Sequence, residues 1–500
     1  MTRRFSPAGI TLAALALLAL LPFALVNLPS MIDLAGHIGR YHVMMDGGRS
    51  PWLRLYYGFE WRLVGNLGAD LIVRALAPWL GVEHAAWLMA AGIAPLTVLG
   101  IAAVSRAAYG RIQPGAVLAA LFVLSNPLMY GFVNFCISYT LALFAFAAWI
   151  GLRERVWWLQ ILATAPLVFL TWLAHAMGWG LLLLMVGGFE LERLFRLRSR
   201  AALLDAVLRG LVFLPPILLT ILWRSGSQGV LYYYGTAVWK RKLMNWIVVL
   251  RGEAKWIDIG TPILVALTVM ATLWRRMQAI DWRLASGGAL LALGTVAMPM
   301  TVMGSWGADE RMVPSAVIAL LLSLRWTGSP RAALRMMLFA LALFAIRAGM
   351  VARDWARFDA AYSGAIRELD AVPAGARVFS LVFTGCGPEW EASTWTHLPS
   401  LALVRRDALV NSQWYLPGAA MLKVIYPVDP DYRNDPSQQV STKLCGGGFS
   451  LDPLHERIEE LDTDRWDYLW VLRTGGASDL WPGHTPIRTS PDSALFRIEH

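Results

Sequence analysis

Three polar side chains near the N-terminus have the types and spacing of a reactive site. Asp33, His37 and Arg40 follow an apolar stretch, residues 8–28, and are separated by four and three positions. In a helix such residues share one face. A carboxylate can accept a proton, an imidazole can orient that carboxylate or bind a hydroxyl, and a guanidinium can bind an anion. We predict Asp33 as a catalytic base, and His37 and Arg40 as substrate-binding residues beside a membrane.

Each of these residues also has a simple structural interpretation. An aspartate just after a membrane span often caps the next helix. His37 and Arg40 can form a solvated rim or an ion pair with Asp33. The sequence leaves both alternatives open.

The composition indicates a polytopic membrane protein. Hydrophobic residues make up 57% of the 500 residues and charged residues 16%, and apolar stretches recur along most of the chain. The predicted fold is mainly α: a transmembrane helix bundle of about eleven spans at residues 1–349, followed by a soluble α/β domain at residues 350–500. The predicted spans are residues 8–28, 85–104, 114–132, 138–152, 156–174, 176–189, 203–223, 261–274, 284–303, 313–324 and 332–348. The first is interpreted as a retained anchor, although a cleaved signal would have the same pattern.

Arginine placement predicts the orientation of the spans. Short cytoplasmic loops carry the excess of Lys and Arg, and with the N-terminus inside, the predicted inner loops contain the arginines. These are Arg106, Arg111, Arg153, Arg155, Arg193, Arg196, Arg198, Arg200, Arg275, Arg276, Arg283, Arg325, Arg331 and Arg335. We predict a multi-pass protein of a bacterial inner membrane, with a cytoplasmic N-terminus and a periplasmic C-terminal domain. Because the net charge of +10 lies mostly in these arginines, it does not indicate nucleic-acid binding.

The same charge rule divides residues 156–189 into two spans. A single crossing would place the arginines at 193–200 outside, so we predict a break at residues 174–180, where glycines permit it. The break places His175 at the outer tip of a hairpin. We predict that His175 binds substrate; the alternative is a hydrogen-bonded structural histidine at a helix break.

Two charged groups are predicted on the same outer side. They are Asp309, Glu310 and Arg311 before a late span, and Lys240, Arg241 and Lys242 between residues 224 and 260. We predict that the bundle brings both groups to one pocket with the long first outer loop, residues 29–84. We also predict that they bind substrate, since their Lys and Arg side chains suit a phosphate. The alternatives are a self-neutralising turn at residues 309–311 and lipid headgroup anchoring by residues 240–242.

The residues after the bundle have an α/β pattern. An amphipathic helix is predicted at residues 353–369, and strands are predicted at residues 377–383, 466–473 and 494–499. Residues 427–439 are rich in Pro, Asp, Asn and Ser, which predicts a loop. This domain is predicted to lie outside the membrane.

Two of the three cysteines, Cys386 and Cys445, fall in the predicted outer domain. A disulfide between them is possible in an oxidising compartment, and two free thiols are the alternative. No Cys-x-x-Cys or His-Cys ligand spacing indicates a metal site. The sequence therefore identifies no cofactor, although a divalent metal remains compatible with it.

The predicted architecture resembles the GT-C superfamily of membrane glycosyltransferases. It has one early span, an acidic residue just after that span in a long outer loop, a bundle of many spans and an outer C-terminal domain. The resemblance implies a lipid-linked sugar donor, commonly a polyprenyl phosphate sugar, and inverting transfer to a glycan, lipid or protein acceptor. It implies that Asp33 activates the acceptor and that Arg311 meets the lipid phosphate. The paired acidic motif of many members is absent, because Leu34 and Ala35 follow Asp33.

Other function classes fit the same plan. Families of uncharacterised bacterial membrane proteins share this architecture, and architecture alone does not establish activity. A transporter or lipid flippase would need polar residues or broken helices near the bilayer middle, ideally in two related halves. A non-catalytic scaffold or sensor would bind a partner through the outer domain. These classes stay open as alternatives.

Overall fold

A computed structural model describes residues 6–499 apart from residues 224–231, 233, 236, 253, 303–304, 387–389, 391–392, 415–420, 427–436, 442–444, 446–450 and 478. The chain forms two compact units. The first unit contains Met1–Ala24, Leu63–Leu71 and Met89–Ala352. The second unit contains Leu25–Arg62, Ile72–Leu88 and Arg353–His500. Much of the predicted first outer loop, residues 29–84, therefore belongs to the same unit as the C-terminal residues.

The described residues are mainly helical. The α-helices are α1 Pro7–Leu18, α2 Leu21–Ala24, α3 Leu34–Asp46, α4 Pro51–Tyr56, α5 Gly68–Leu80, α6 Val82–Tyr109, α7 Pro114–Ala119, α8 Asn126–Met129, α9 Val133–Gly151, α10 Trp157–Ala174, α11 Ala176–Leu197, α12 Arg200–Gly210, α13 Leu214–Leu222, α14 Val238–Ile247, α15 Lys255–Trp274, α16 Trp282–Ala297, α17 Ala308–Leu322, α18 Pro330–Glu368, α19 Ser400–Arg406 and α20 Leu454–Glu459. The strands are β1 Tyr57–Phe59, β2 Gln278–Ile280, β3 Leu324–Trp326, β4 Arg377–Phe383, β5 Leu409–Val410, β6 Leu422–Val424, β7 Gln439–Val440, β8 Tyr468–Leu472, β9 Arg488–Ser490 and β10 Ser493–Arg497.

Seven helices among the described residues are long and apolar enough to cross a membrane. They are Pro7–Ala24, Val82–Tyr109, Val133–Gly151, Trp157–Ala174, Arg200–Leu222, Lys255–Trp274 and Pro330–Ala371. Two other predicted spans fall on shorter helices: α16 has 16 residues and α17 has 15, fewer than the roughly 20 that a crossing needs. The predicted span at residues 176–189 lies in α11, which has 22 residues but is not one of the seven. The predicted span at residues 114–132 consists of short helical pieces within Pro114–Met129. The larger number of crossings stays a prediction.

The predicted break between α10 and α11 is confirmed. His175 lies between the two helices with extended backbone, φ −166° and ψ 127°. Its Nδ1 accepts a hydrogen bond from the backbone N–H of Met177 at 3.1 Å, and this bond caps the start of α11. Burial, with a contribution from the Arg311 charge, lowers the pKa of His175 to about 3. The imidazole is therefore neutral at physiological pH.

The helices of the first unit approach one another closely at glycines. α11 packs against α9 and α16, and α16 packs against α17. Gly188 of α11 lies directly on the backbone of Gly287 in α16, so that a Cβ atom there would collide with main chain. Gly178 lies against Ser138 of α9 in the same way. Small residues at crossing points are typical of helices that pack within a membrane.

A buried charge network joins several helices of the first unit. Arg153 contacts Glu190 at 2.6 Å and Asp205 at 2.7 Å, and Arg209 contacts Asp205 at 2.9 Å. Trp149 donates its indole N–H to the same Glu190 at 2.9 Å. Arg153, which the charge rule assigns to an inner loop, is thus held in ion pairs between helices.

The second unit contains a mixed sheet in the order β5-β4-β8-β10-β9, with β7 also paired to β4. β4 runs parallel to β5, β7 and β8, whereas β8 and β10 are antiparallel. The central strands are apolar on both faces, and all five residues of β8 are buried. The three strands predicted in this domain match β4, β8 and β10. Of the predicted loop at residues 427–439, residues 427–436 lie outside the described residues.

Two features connect distant segments of the second unit. β1 pairs antiparallel with β6, which attaches the segment after α3 to the C-terminal residues. Cys386 and Cys445 form a disulfide with Cα atoms 5.2 Å apart. Of the two alternatives left by the sequence, the structure therefore has the bonded pair.

Candidate functional site

Asp33 immediately precedes α3 and does not cap it. Its backbone is helical, with φ −86° and ψ −11°, and its side chain makes no capping hydrogen bond. The nearest ionisable partner in the described part of the second unit is His397, whose Nε2 lies 3.7 Å from Asp33 Oδ1. The Asp33 side chain is 19% exposed and the His397 side chain 7%. The capping interpretation is therefore wrong, and the carboxylate faces a histidine.

Trp414 packs against the two histidines of this cluster. Its ring centroid lies 4.5 Å from that of His397 and 5.1 Å from that of His37. Asp33, one helical turn before His37, contacts His397. We call these four residues the Asp33 cluster: Asp33, His37, His397 and Trp414. Of the three residues predicted on one helical face, His37 and Arg40 lie in α3, and Asp33 directly precedes it.

Glycines of α3 allow this cluster to be compact. A Cβ atom on Gly36 would lie 2.5 Å from the Trp414 ring, and one on Gly39 would meet the backbone oxygen of Ser400 at 3.2 Å. Gln413 donates a hydrogen bond from Nε2 to the Gly36 carbonyl at 3.1 Å. α3 therefore packs directly on α19 and on the segment that holds Trp414, with bare backbone at the contact.

Arg40 is buried and does not belong to a solvated rim. It is 5% exposed, and its guanidinium carbon lies 5.2 Å from the centroid of the Tyr41 ring. The predicted role of Arg40 in substrate binding stays a prediction, whereas the rim interpretation is wrong. A buried guanidinium that keeps its charge requires compensating contacts.

In the first unit, Arg311 lies among aromatic side chains. Its guanidinium carbon is 3.5 Å from the centroid of the Phe132 ring, and its Nη2 donates to the Trp306 carbonyl at 2.6 Å. Tyr130 packs on both Phe132 and Trp306. His175 is near enough for the Arg311 charge to lower its pKa. Two residues predicted from separate loops, His175 and Arg311, thus lie in the same part of the first unit.

A small cavity of about 20 Å³ lies beside Arg311. Its wall includes Cys136 and Tyr139 of α9 and Ser315 of α17. This volume accommodates about one water molecule. The cavity is therefore too small for a phosphate in this conformation.

The predicted basic cluster at residues 240–242 does not act as one surface. Lys240 and Arg241 are exposed, whereas Lys242 is buried and contacts Asp309 Oδ2 at 2.6 Å. The Lys242 ammonium also donates to the carbonyls of Thr295 and Met298. Its hydrogen-bonding capacity is used within the protein. The expectation that all three side chains face a ligand is wrong for Lys242, because successive helical residues point about 100° apart.

Asp309 is likewise held by protein partners. It is 0% exposed, and Asn245 donates to its Oδ2 at 2.9 Å while Tyr234 donates to its Oδ1 at 3.2 Å. The partner of Asp309 is therefore Lys242 and not Arg311, so the interpretation of residues 309–311 as a self-neutralising turn is wrong. Direct substrate contact by Asp309 or Lys242 would require breaking a buried ion pair.

Glu310 faces a third set of groups. Asn126 donates its side-chain amide to Glu310 Oε1. Burial raises the pKa of Glu310, and the nearby Arg251 and Arg311 charges oppose that rise. Arg251 donates to the Tyr130 hydroxyl at 3.0 Å. Two arginines and the aromatic side chains around them therefore surround the start of α17.

The predicted site residues fall into two sets. Asp33, His37 and Arg40 belong to the second unit, whereas His175, residues 240–242 and residues 309–311 belong to the first. Their convergence on one pocket stays a prediction. Sequence reasoning missed His397, Trp414 and Asn126. Of these, His397 carries a usable sequence signal, because the chain has just 8 histidines.

The described residues contain no group of three or more His, Cys, Asp or Glu side chains positioned to hold a metal ion. The Asp33 cluster supplies one carboxylate and two imidazoles, which suit proton transfer and hydroxyl binding. Comparison of the sequence with models of known protein families and with curated proteins finds no match.

Proposed function

We propose that this chain is an integral membrane glycosyltransferase that moves a sugar from a polyprenyl phosphate donor to an acceptor hydroxyl on the outer face of a bacterial inner membrane. The observation that carries the proposal is the Asp33 carboxylate. It lies after the first apolar helix, takes no part in capping α3, and faces His397 at 3.7 Å. A partly accessible carboxylate beside an imidazole is a candidate general base.

The reaction assigned to Asp33 is a single displacement at the sugar carbon. The acceptor oxygen forms a bond to that carbon while the bond from the carbon to the donor phosphate oxygen breaks. The leaving lipid phosphate takes the electron pair, and the Asp33 carboxylate takes the acceptor proton. Because one displacement occurs, the configuration at the sugar carbon inverts. Asp33 needs no metal ion for this role.

The remaining residues of the Asp33 cluster suit an uncharged, hydroxyl-rich ligand. Imidazole nitrogens can donate to or accept from sugar hydroxyls, and an indole ring offers an apolar face with one polar edge. Arg311, which the resemblance matches to the lipid phosphate, lies among aromatic residues beside Trp306, which is 45% exposed. Arg311 is the proposed ligand for the donor phosphate.

The test uses the full chain reconstituted in liposomes with a panel of radiolabelled polyprenyl phosphate hexoses and pentoses and a cell-envelope acceptor fraction. The measurement is release of polyprenyl phosphate together with transfer of label to the acceptor fraction. Asp33→Asn is expected to lower turnover about 100-fold or more, with little change in the KM for the donor.

The matched control is Asp370→Asn. Asp370 also lies in the second unit, but its side chain is 74% exposed and pairs with Arg406 on the surface. This variant should retain wild-type turnover. If the wild-type protein transfers no label from any donor, or if Asp33→Asn remains fully active, the proposed function is wrong and the scaffold or transporter class is favoured.

A further inference from the structure

His397 is the residue of the Asp33 cluster that the sequence did not identify, and it contacts both Asp33 and Trp414. Resting on the proposed function, we propose that His397 is a positioning residue that contacts Asp33 Oδ1 and so orients the carboxylate toward the acceptor hydroxyl. Trp414, in turn, fixes the His397 ring.

The distance between the two side chains supports positioning by electrostatic contact. At 3.7 Å, the Nε2–Oδ1 separation lies within ion-pair range but is too long for a hydrogen bond. A carboxylate beside an imidazole that cannot turn away has few rotamers available, because the imidazole occupies one side of it. Catalytic contacts of this kind often tighten only when substrate binds.

The surroundings of His397 prevent it from swinging away. Its side chain is 7% exposed, and its ring lies against Trp414. Its carbonyl accepts the backbone N–H of Ser400 at 3.1 Å, which ties it to the start of α19. Trp414 is itself held against the bare backbone of Gly36. The histidine is therefore fixed by one aromatic ring, one helix start and one glycine contact.

This arrangement differs from a second His–Asp pair, in which the histidine is on α3. His42 contacts Asp407 at 2.8 Å, but both side chains are substantially exposed, at 25% and 30%. Asp407 also accepts a hydrogen bond from the Ser50 hydroxyl. His42 lies nine residues from Asp33, roughly 13 Å along a helix. The His42–Asp407 pair is thus an internal control with the same chemistry and a different environment.

The experiment compares His397→Ala, His397→Gln and His42→Gln in the reconstituted transfer assay, with kcat and donor KM measured separately. The Gln side chain can place a nitrogen donor near the position of Nε2. His397→Ala is expected to lower kcat about 10–100-fold with KM within twofold. His397→Gln should recover most of that loss, and His42→Gln should match wild type.

A double-mutant cycle tests the part assigned to Trp414. Trp414→Ala should lower kcat as His397→Ala does, and the double variant should be no worse than either single variant, because both remove one restraint. Thermal denaturation of each variant identifies losses that come from unfolding. Additive losses, an effect confined to KM, or wild-type kcat in His397→Ala would overturn the positioning role. Inactivity of Asp33→Asn in the same assay would leave the proposed function intact.

Discussion

Asp33 and Asp309 both lie at the beginning of a helix, and the structure uses them in different ways. Asp309 is fully buried and is bonded to Lys242, Asn245 and Tyr234. Asp33 is partly exposed and faces His397 without capping α3. Asp309 is thus held in a buried ion pair, whereas Asp33 lies partly exposed beside a histidine. Residue type and position at a helix start therefore do not distinguish these two environments.

The contrast between Lys242 and its neighbour Lys240 leads to a stability prediction. Lys242→Met should lower the free energy of unfolding by about 3–5 kcal/mol, because it leaves the buried Asp309 carboxylate without its cation. Lys240→Met changes an exposed side chain and should have an effect within about 0.5 kcal/mol. Denaturation of the detergent-solubilised protein measures both. Equal stability of the two variants would contradict a structural role for the Lys242–Asp309 pair.

At the scale of elements, glycines determine which helices can touch. In the first unit, Gly188 and Gly287 bring α11 and α16 together, and in the second unit, Gly36 and Gly39 bring α3 onto α19. The two glycines of Gly36-His37-Ile38-Gly39 therefore serve the packing of α3. A larger residue at either glycine would separate the two helices and move Trp414.

Two adjacent glycines of α11 provide a matched pair. A Cβ atom on Gly188 would collide with the Gly287 backbone, whereas one on Gly187 would meet nothing within 4 Å. Gly188→Ala should therefore cost about 1–3 kcal/mol. Gly187→Ala should be neutral or should stabilise the helix by up to about 1 kcal/mol. Thermal denaturation of both variants measures these changes in stability. Equal effects of the two substitutions would contradict the close contact between α11 and α16.

At the scale of the whole molecule, the disulfide and the apolar helices lead to a prediction about orientation. Disulfides persist in oxidising compartments. In intact spheroplasts, a membrane-impermeant maleimide should label Cys386 and Cys445 only after reduction with an impermeant phosphine. Cys136 is buried and serves as the control, because it should stay unlabelled until the protein is denatured. Labelling of Cys386 and Cys445 only after the membrane is permeabilised would place the C-terminal domain inside.

Local sequence pattern predicted much of the secondary structure. The predicted strand at residues 377–383 coincides with β4, and the predicted break at His175 separates α10 from α11. Both depend on side chains close in the chain: apolar and β-branched residues in one case, and glycines beside an arginine-rich loop in the other. The number of spans was less predictable, because an apolar stretch does not reveal that it is divided into short helices, as at Pro114–Met129.

The sequence by itself determined the mainly helical class, the apolar helices, the strands of the C-terminal domain and the placement of Asp33 one turn before His37. These properties follow from composition and from the periods of helices and strands, which operate over a few residues. Only the tertiary structure decided that Asp33 faces His397, that Lys242 turns inward to Asp309 and that Cys386 meets Cys445. The physical reason is that such partners lie far apart in the chain, and burial and packing of whole elements bring them together.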